Sequence, residues 1–106
     1  MYGMLVLGER DRHGVVHVAV DEVVSVCLPE NPTTGVRWVL PDGLAPGLVC
    51  LTSEYDPVSV AVGGGGLRTF QFRCVQRGEL RLSLISVQQW AAENVLDTFT
   101  ATIHVS

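Results

Sequence analysis

The sequence is poor in positive charge. It contains no lysine, and its seven arginines are outnumbered by eleven acidic residues, which gives a formal net charge of −4 at pH 7. A protein that binds nucleic acid needs a concentrated basic face, because it must release counterions from the phosphates. The composition therefore predicts that this chain does not bind nucleic acid.

Long apolar runs are also absent. No stretch approaches the roughly 20 residues that a membrane span requires. Residues 1–7 are too short for the core of a signal peptide and have no basic start. We therefore expect no membrane contact and, for the chain as given, a cytoplasmic location. A periplasmic or secreted location is the alternative if a leader was removed.

Cysteine is scarce. The three cysteines are Cys27, Cys50 and Cys74, an odd number with no C-x-x-C pair and no histidine at metal-ligand spacing. This pattern predicts neither a disulfide framework nor a zinc site, and no other motif points to a cofactor. Cys74 continues the alternation of Phe70 and Phe72 and is expected to face the core, where a thiol behaves as a small apolar group. Cys27 is out of phase with the apolar residues of its run and is expected on the opposite face.

The chain does have apolar content and a period of two. Hydrophobic residues make up 47% of its 106 residues, which suffices for one core and leaves no room for a second domain. We expect a single domain over residues 1–106, of which 1–14 carry no clear pattern. Alternating runs rich in valine, threonine and phenylalanine indicate half-buried strands. They cover residues 16–20, 23–28, 36–40, 68–75, 79–87 and 98–105, with shorter apolar pieces at 48–51 and 58–62.

The spacing of these runs predicts the fold. Short strands at regular intervals, with turn residues between them, indicate an all-β, immunoglobulin-like antiparallel β-sandwich of seven to eight strands without a disulfide. Trp38, in the third run, is the expected core aromatic. We expect the domain to be a monomer on its own.

Three loops contain more distinctive residues than a simple connection between strands requires. The first, here called the NPTTG loop, consists of Asn31, Pro32, Thr33, Thr34 and Gly35. Pro32 fixes one φ, Gly35 permits a positive φ, and the polar side chains can bond to nearby amides. The loop can therefore hold a rigid protruding shape, although an ordinary turn is the alternative interpretation.

The second is the glycine loop, formed by Gly63, Gly64, Gly65 and Gly66. A phosphate-binding loop leads into the N-terminus of a helix, whereas this one leads into a predicted strand, which argues against nucleotide binding. A flexible connection is one interpretation. The other is that a backbone without side chains lies against another molecule and pairs with it like a strand.

The third is the tryptophan loop, residues 88–94, which contains Gln88, Gln89 and Trp90. Trp90 sits in a polar context where the core alternation has ended. It is either an exposed anchor of the kind that dominates interface energetics or a side chain folded back over the end of the sandwich. In an immunoglobulin-like strand order the three loops can emerge at the same end, and loops clustered on a rigid scaffold are typical of a binding surface.

At these residues the chain resembles the chagasin family, the immunoglobulin-like inhibitors of papain-type cysteine peptidases. The NPTTG loop matches the family's first loop throughout, the glycine loop fits its Gly-x-Gly-Gly, and Trp90 is what remains of its Arg-Pro-Trp. The resemblance runs from about Val16 to the C-terminus, with the three elements in the family's order. Val36 stands where the family usually has an aromatic residue, and Gln88 and Gln89 replace Arg-Pro.

The resemblance implies that the loops act as a wedge that fills the peptidase cleft, and that the protein catalyses no reaction. The NPTTG loop would enter the peptidase cleft, with Thr33 nearest the catalytic Cys–His pair. The glycine loop would lie along the non-primed side as an extra strand, and Trp90 would pack on the primed side. Inhibition would follow from exclusion of substrate, with no nucleophile supplied by the inhibitor.

Two other classes of function are weighed against this one. An enzyme is not expected, because His13, His17 and His104 are scattered, the carboxylates show no paired spacing and no serine lies in a nucleophile elbow. An immunoglobulin-type binding or adhesion module with an unrelated ligand stays open, since a fold alone does not fix a function.

Overall fold

The structure, a computed structural model, describes residues 4–31, 34–41, 44–57 and 65–106. Within these residues the chain forms eight β-strands and one turn of 3-10 helix. The turn spans Glu9–Asp11, and the strands are β1 (Met4–Leu7), β2 (Gly14–Val18), β3 (Val23–Glu30), β4 (Val36–Val39), β5 (Leu48–Pro57), β6 (Gly66–Cys74), β7 (Gly78–Gln88) and β8 (Ala91–Val105).

The strands form two sheets of four, in the orders β1-β3-β6-β5 and β2-β8-β7-β4. Apolar side chains from both sheets meet in one core. All three cysteines are free. The predicted all-β sandwich of seven to eight strands without a disulfide is therefore confirmed.

The pairing differs from the antiparallel prediction at one edge of each sheet. β1 runs parallel to β3, with Leu7 beside Val26, and β2 runs parallel to β8, with Val18 beside Val105. A parallel neighbour needs a crossover rather than a hairpin. The chain provides one by changing sheets between β1 and β2, at the 3-10 turn. No strand was predicted at β1 because its four residues, MLVL, are all apolar and show no alternation, although only Leu7 is buried.

The period of two places the core side chains as predicted. Phe70, Phe72 and Cys74 point inward from β6 and are at most 2% exposed, and Trp38 is buried as well. Cys27 lies on the opposite face of β3 and is only half-buried. Burial raises the pKa of the Cys74 thiol, which keeps it protonated and unreactive.

β5 is longer than the sequence predicts. It forms one strand over Leu48–Pro57, with an irregularity between Cys50 and Thr52, whereas the sequence indicates only a short apolar piece at 48–51. The piece predicted at 58–62 lies outside the described residues. No helix in the described part of the chain is long and apolar enough to cross a membrane.

β8 also begins earlier than predicted. It starts at Ala91, so the tryptophan loop contracts to a turn at Gln89 and Trp90 rather than extending to residue 94. The first part of β8 pairs with β7 through register shifts on both sides of Val87. Such shifts interrupt the alternation of side chains, and that alternation is the signal by which a strand is found in sequence.

Candidate functional site

The NPTTG loop and the tryptophan loop adjoin each other. β4 pairs with β7 so that Val36 lies opposite Gln88. Gly35 therefore precedes this pair on one strand and Gln89 follows it on the other. The N–H of Gln89 donates to the carbonyl oxygen of Gly35 at 2.8 Å, which joins the two loops directly.

Trp90 lies on the surface and contacts the NPTTG loop. Its side chain is 70% exposed. The ring sits against Gly35, since a Cβ built at residue 35 would overlap it. Trp90 is therefore not folded into the end of the core. It presents most of an indole to solvent while one edge rests on a neighbouring loop.

The glycine loop leads into β6, an inner strand of the β1-β3-β6-β5 sheet. Gly66 is the first residue of β6 and lies between Glu30 of β3 and Pro57 of β5. A Cβ at Gly66 would overlap the hydroxyl of Tyr55, so glycine is needed there for close packing. Gly65 has open space where a Cβ would be. Gly63 and Gly64 lie outside the described residues.

These pairs place the three loops at one end of the sandwich. Glu30 ends β3 opposite Gly66 in one sheet, and Val36 begins β4 opposite Gln88 in the other. The NPTTG loop joins β3 to β4 and therefore passes from one sheet to the other at this point. We call this end, marked by the Glu30–Gly66 and Val36–Gln88 pairs, the loop end.

Within the NPTTG loop, Thr34 closes a turn on Asn31. The N–H and Oγ1 of Thr34 both donate to the carbonyl oxygen of Asn31, at 3.2 and 2.8 Å. Thr34 is exposed and Asn31 is half-buried. Pro32 and Thr33 lie outside the described residues.

The sequence-based prediction missed two residues beneath the loops. Glu30 lies two residues after Leu28, and Arg68 two residues before Phe70, so both occupy inward-facing positions of their strands. A charged residue in the inward phase of an apolar run was the available signal, because such a residue must find a partner inside. The structure provides one, since Arg68 Nη2 donates to Glu30 Oε2 at 2.8 Å.

A second ion pair lies on β8, opposite Ser86 of β7. The guanidinium of Arg12, just after the 3-10 turn, donates to both carboxylate oxygens of Asp97 on β8, at 2.6 and 2.9 Å. This contact holds the pKa of Asp97 below its ordinary value and raises that of Arg12. The pair attaches the N-terminal segment to the irregular part of β8.

The histidines lie away from this arrangement. His17 and His104 stack with ring centroids 5.1 Å apart, near the end of β8 that is farthest from Trp90. His13 contacts the hydroxyl of Thr100. No group of three or more His, Cys, Asp or Glu side chains in the described residues could hold a metal ion.

The fold is a β-sandwich with the bases of three loops at one end, an arrangement that is typical of binding proteins. The chain belongs to the chagasin family, since the family described as "Chagasin family peptidase inhibitor I42" matches residues 17–105. The family consists of inhibitors and not of enzymes, so the prediction that the chain is not an enzyme is confirmed.

Similar proteins agree with this membership. Chagasin from Trypanosoma cruzi is 33% identical over 78 residues, which cover 69% of this chain and 71% of that protein. The solution structure of amebosin matches with a TM-score of 0.79 and 30% identity, covering 98% and 99% of the two chains. The crystal structure of the cysteine protease inhibitor EhICP2 from Entamoeba histolytica has the same fold, with a TM-score of 0.83 at 19% identity over 97% and 96% of the chains.

Proposed function

We propose that this protein is a reversible, non-covalent inhibitor of papain-type cysteine peptidases, which occludes the active-site cleft with the NPTTG, glycine and tryptophan loops. Membership of a peptidase inhibitor family supports the class of partner. The observation that carries the proposal is that the Glu30–Gly66 and Val36–Gln88 pairs bring the bases of all three loops to one end. A wedge that fills a cleft needs its contacts side by side.

The NPTTG loop is the central element of the wedge. It leaves one sheet at Asn31 and enters the other at Gly35, with Pro32, Thr33 and Thr34 between them. A loop that connects two packed sheets has both ends held by the scaffold, which lowers the entropy lost on binding. We assign Thr33 to the position nearest the catalytic Cys–His pair of the peptidase.

The glycine loop, Gly63 to Gly66, supplies backbone rather than side chains. We assign it to the non-primed side of the cleft, where an extended segment pairs with the enzyme through its amides and carbonyls. The open space at the position that a Cβ of residue 65 would occupy supports this role. Only a residue without a side chain allows another backbone to approach so closely.

Trp90 is the anchor on the primed side. A large aromatic ring that is exposed in the free protein and held on one edge contributes area at low entropic cost. The neighbouring glutamines help to hold it, because Gln88 pairs with Val36 and Gln89 bonds to Gly35. The proline of the family's Arg-Pro-Trp has no N–H to donate. In this chain a hydrogen bond therefore replaces the φ constraint of that proline.

The wedge inhibits by exclusion. A substrate cannot enter a filled cleft, and the inhibitor supplies no nucleophile. Acyl transfer to the peptidase requires a carbonyl carbon in line with the thiolate at contact distance. Loops that fill the cleft without presenting such a carbonyl are bound and not cut.

An inhibition assay tests the proposal. The protein is incubated with papain, the rate on a small fluorogenic substrate is followed, and the mixture is then diluted. We expect inhibition that persists on long incubation, recovers on dilution and leaves the chain intact on a gel. Unchanged rates across several papain-type enzymes would contradict the proposal and favour a binding module with another ligand.

A further inference from the structure

A buried ion pair lies directly beneath the loop end. The side chains of Glu30 and Arg68 are 2% and 20% exposed, and they belong to neighbouring strands of one sheet. Besides the 2.8 Å contact, Nε of Arg68 donates to both carboxylate oxygens of Glu30 at 3.2 Å. Among the described residues no buried side-chain nitrogen or oxygen lacks a partner, so this pair is satisfied.

Glu30 connects the two sheets at the base of the NPTTG loop. Its Oε1 accepts the backbone N–H of Trp38, on β4 of the opposite sheet, at 2.6 Å. The indole N–H of Trp38 in turn donates to the carbonyl oxygen of Pro29 at 2.9 Å. The two strands that carry the NPTTG loop are therefore held together by side chains as well as by packing.

Arg68 connects the same carboxylate to the glycine loop. Its guanidinium lies over the ring of Tyr55, 5.7 Å from the centroid. The hydroxyl end of that ring fills the space beside Gly66, where a Cβ would overlap it. One chain of contacts thus runs from the residue before Asn31, through Arg68 and Tyr55, to the last residue of the glycine loop.

Stability alone does not account for a pair of this kind. Replacing a buried ion pair with uncharged residues of similar size is often neutral or stabilising, because desolvation offsets the attraction. The pair instead fixes a relative orientation, because the hydrogen bonds between a planar guanidinium and a carboxylate form only in a narrow range of geometries. Directional bonds beneath two binding loops set where each loop begins.

We propose that Glu30 and Arg68 are positioning residues, which hold the NPTTG loop and the glycine loop in the relative geometry that the peptidase cleft requires. This inference rests on the proposed function. With 2% and 20% of their side chains exposed and their polar atoms bonded to each other, Glu30 and Arg68 are expected to act through the loops rather than by contact with the peptidase.

Four proteins test the proposal: the parent, Glu30→Gln, Arg68→Met and the double variant. Arg68→Met leaves the Glu30 carboxylate buried without its guanidinium and should lower the melting temperature. In the double variant the amide oxygen introduced by Glu30→Gln still accepts the N–H of Trp38, and no charge is left unpaired. We expect its melting temperature to lie well above that of Arg68→Met, and below that of the parent by the cost of one buried amide N–H2 group without an acceptor. We expect its inhibition constant for papain to remain raised by about tenfold, because preorganisation of the loops is not restored.

The opposite result overturns the proposal. If inhibition recovers together with stability in the double variant, the pair has only a structural role. Arg73→Gln is the matched control for loss of charge, since Arg73 lies near the far end of the same strand and is exposed. It should keep the parent inhibition constant, and an equal loss in this control would also overturn the proposal.

A second variant and a spectrum cover the case in which the ion-pair variants fold poorly. Tyr55→Leu removes the ring between Arg68 and Gly66 at a half-exposed position and should also weaken inhibition. In the NMR spectrum of the free protein, Arg68→Met and Tyr55→Leu should each move the amide signal of Gly66. An unmoved signal with parent inhibition overturns the inference alone, whereas a parent that inhibits no papain-type peptidase overturns the proposed function as well.

Discussion

The indole ring of Trp90 occupies the space into which a side chain at Gly35 would project. Gly35 also has a φ of +73°, in the left-handed region that L side chains rarely adopt. Backbone conformation and a neighbouring ring therefore both require glycine at this position. Together with the hydrogen bond from Gln89, this contact makes the NPTTG loop and the tryptophan loop one unit.

Replacing Gly35 with alanine should disrupt that unit. The new methyl group would strain the backbone and displace Trp90, so we expect a loss of about 1–3 kcal/mol in the free energy of unfolding. Inhibition of papain should weaken as well, because Trp90 loses its support. Urea unfolding and the inhibition constant measure the two effects.

Gly78→Ala is the control for this variant. Gly78 has a φ of +126°, no atom would lie within 4 Å of its Cβ, and it pairs with Val105 at the other end of the sandwich. It should lower stability through backbone strain and leave inhibition unchanged. Equal loss of inhibition in both variants would show that strain, rather than the contact with Trp90, is responsible.

Gly65→Val should separate binding from stability. No atom lies within 4 Å of the Cβ position at residue 65, so the folded protein has room for the side chain. A branched side chain there would keep a peptidase backbone from approaching the glycine loop. We expect a melting temperature close to that of the parent and an inhibition constant raised by more than about tenfold. A variant that inhibits like the parent would remove the glycine loop from the interface.

Trp90→Ala should speed dissociation from the peptidase. An exposed aromatic that becomes buried on binding is typical of a hot spot, and its loss costs about 2 kcal/mol, mostly through the dissociation rate. Stability should change little, because the side chain is 70% exposed in the free protein. Surface plasmon resonance with immobilised, inactivated papain gives both rates. Val15→Ala, at an exposed apolar residue of β2, should leave both rates at parent values.

The Arg12–Asp97 pair should make stability depend on acidity. Arg12 holds the pKa of Asp97 below its ordinary value of 3.8. The folded protein therefore binds this proton less tightly than the unfolded chain, so the pair stabilises the fold above about pH 4 and ceases to do so as the pH falls through the lowered pKa.

Asp97→Asn tests this dependence. Because the two side chains are 24% and 44% exposed, we expect a loss of less than about 1 kcal/mol in the free energy of unfolding at pH 7. Urea unfolding at pH 7 and at low pH should show the difference from the parent shrinking in acid. Arg12→Gln should behave in the same way, and a difference that persists in acid would assign the effect to something other than the ion pair.

Local pattern sufficed for much of the fold and for the loops. Alternation places a side chain on one face or the other whatever the strand's partners are, so Phe72 and Cys74 could be assigned to the core from sequence. The same reasoning failed at β1, where only Leu7 is buried, and at the start of β8, where register shifts leave Val95 and Leu96 exposed. In both places the local signal is weak because neighbouring strands decide which residues are covered.

The sequence by itself determined that the chain is an all-β domain with an NPTTG loop, a glycine loop and a tryptophan in the turn before the last strand, since propensity, period and turn chemistry act over a few residues. Only the tertiary structure decided that two edge strands run parallel, that Trp90 rests on Gly35 and that Glu30 meets Arg68. Those relationships depend on register and sheet order, which arise when strands distant in the chain bury their apolar faces against each other.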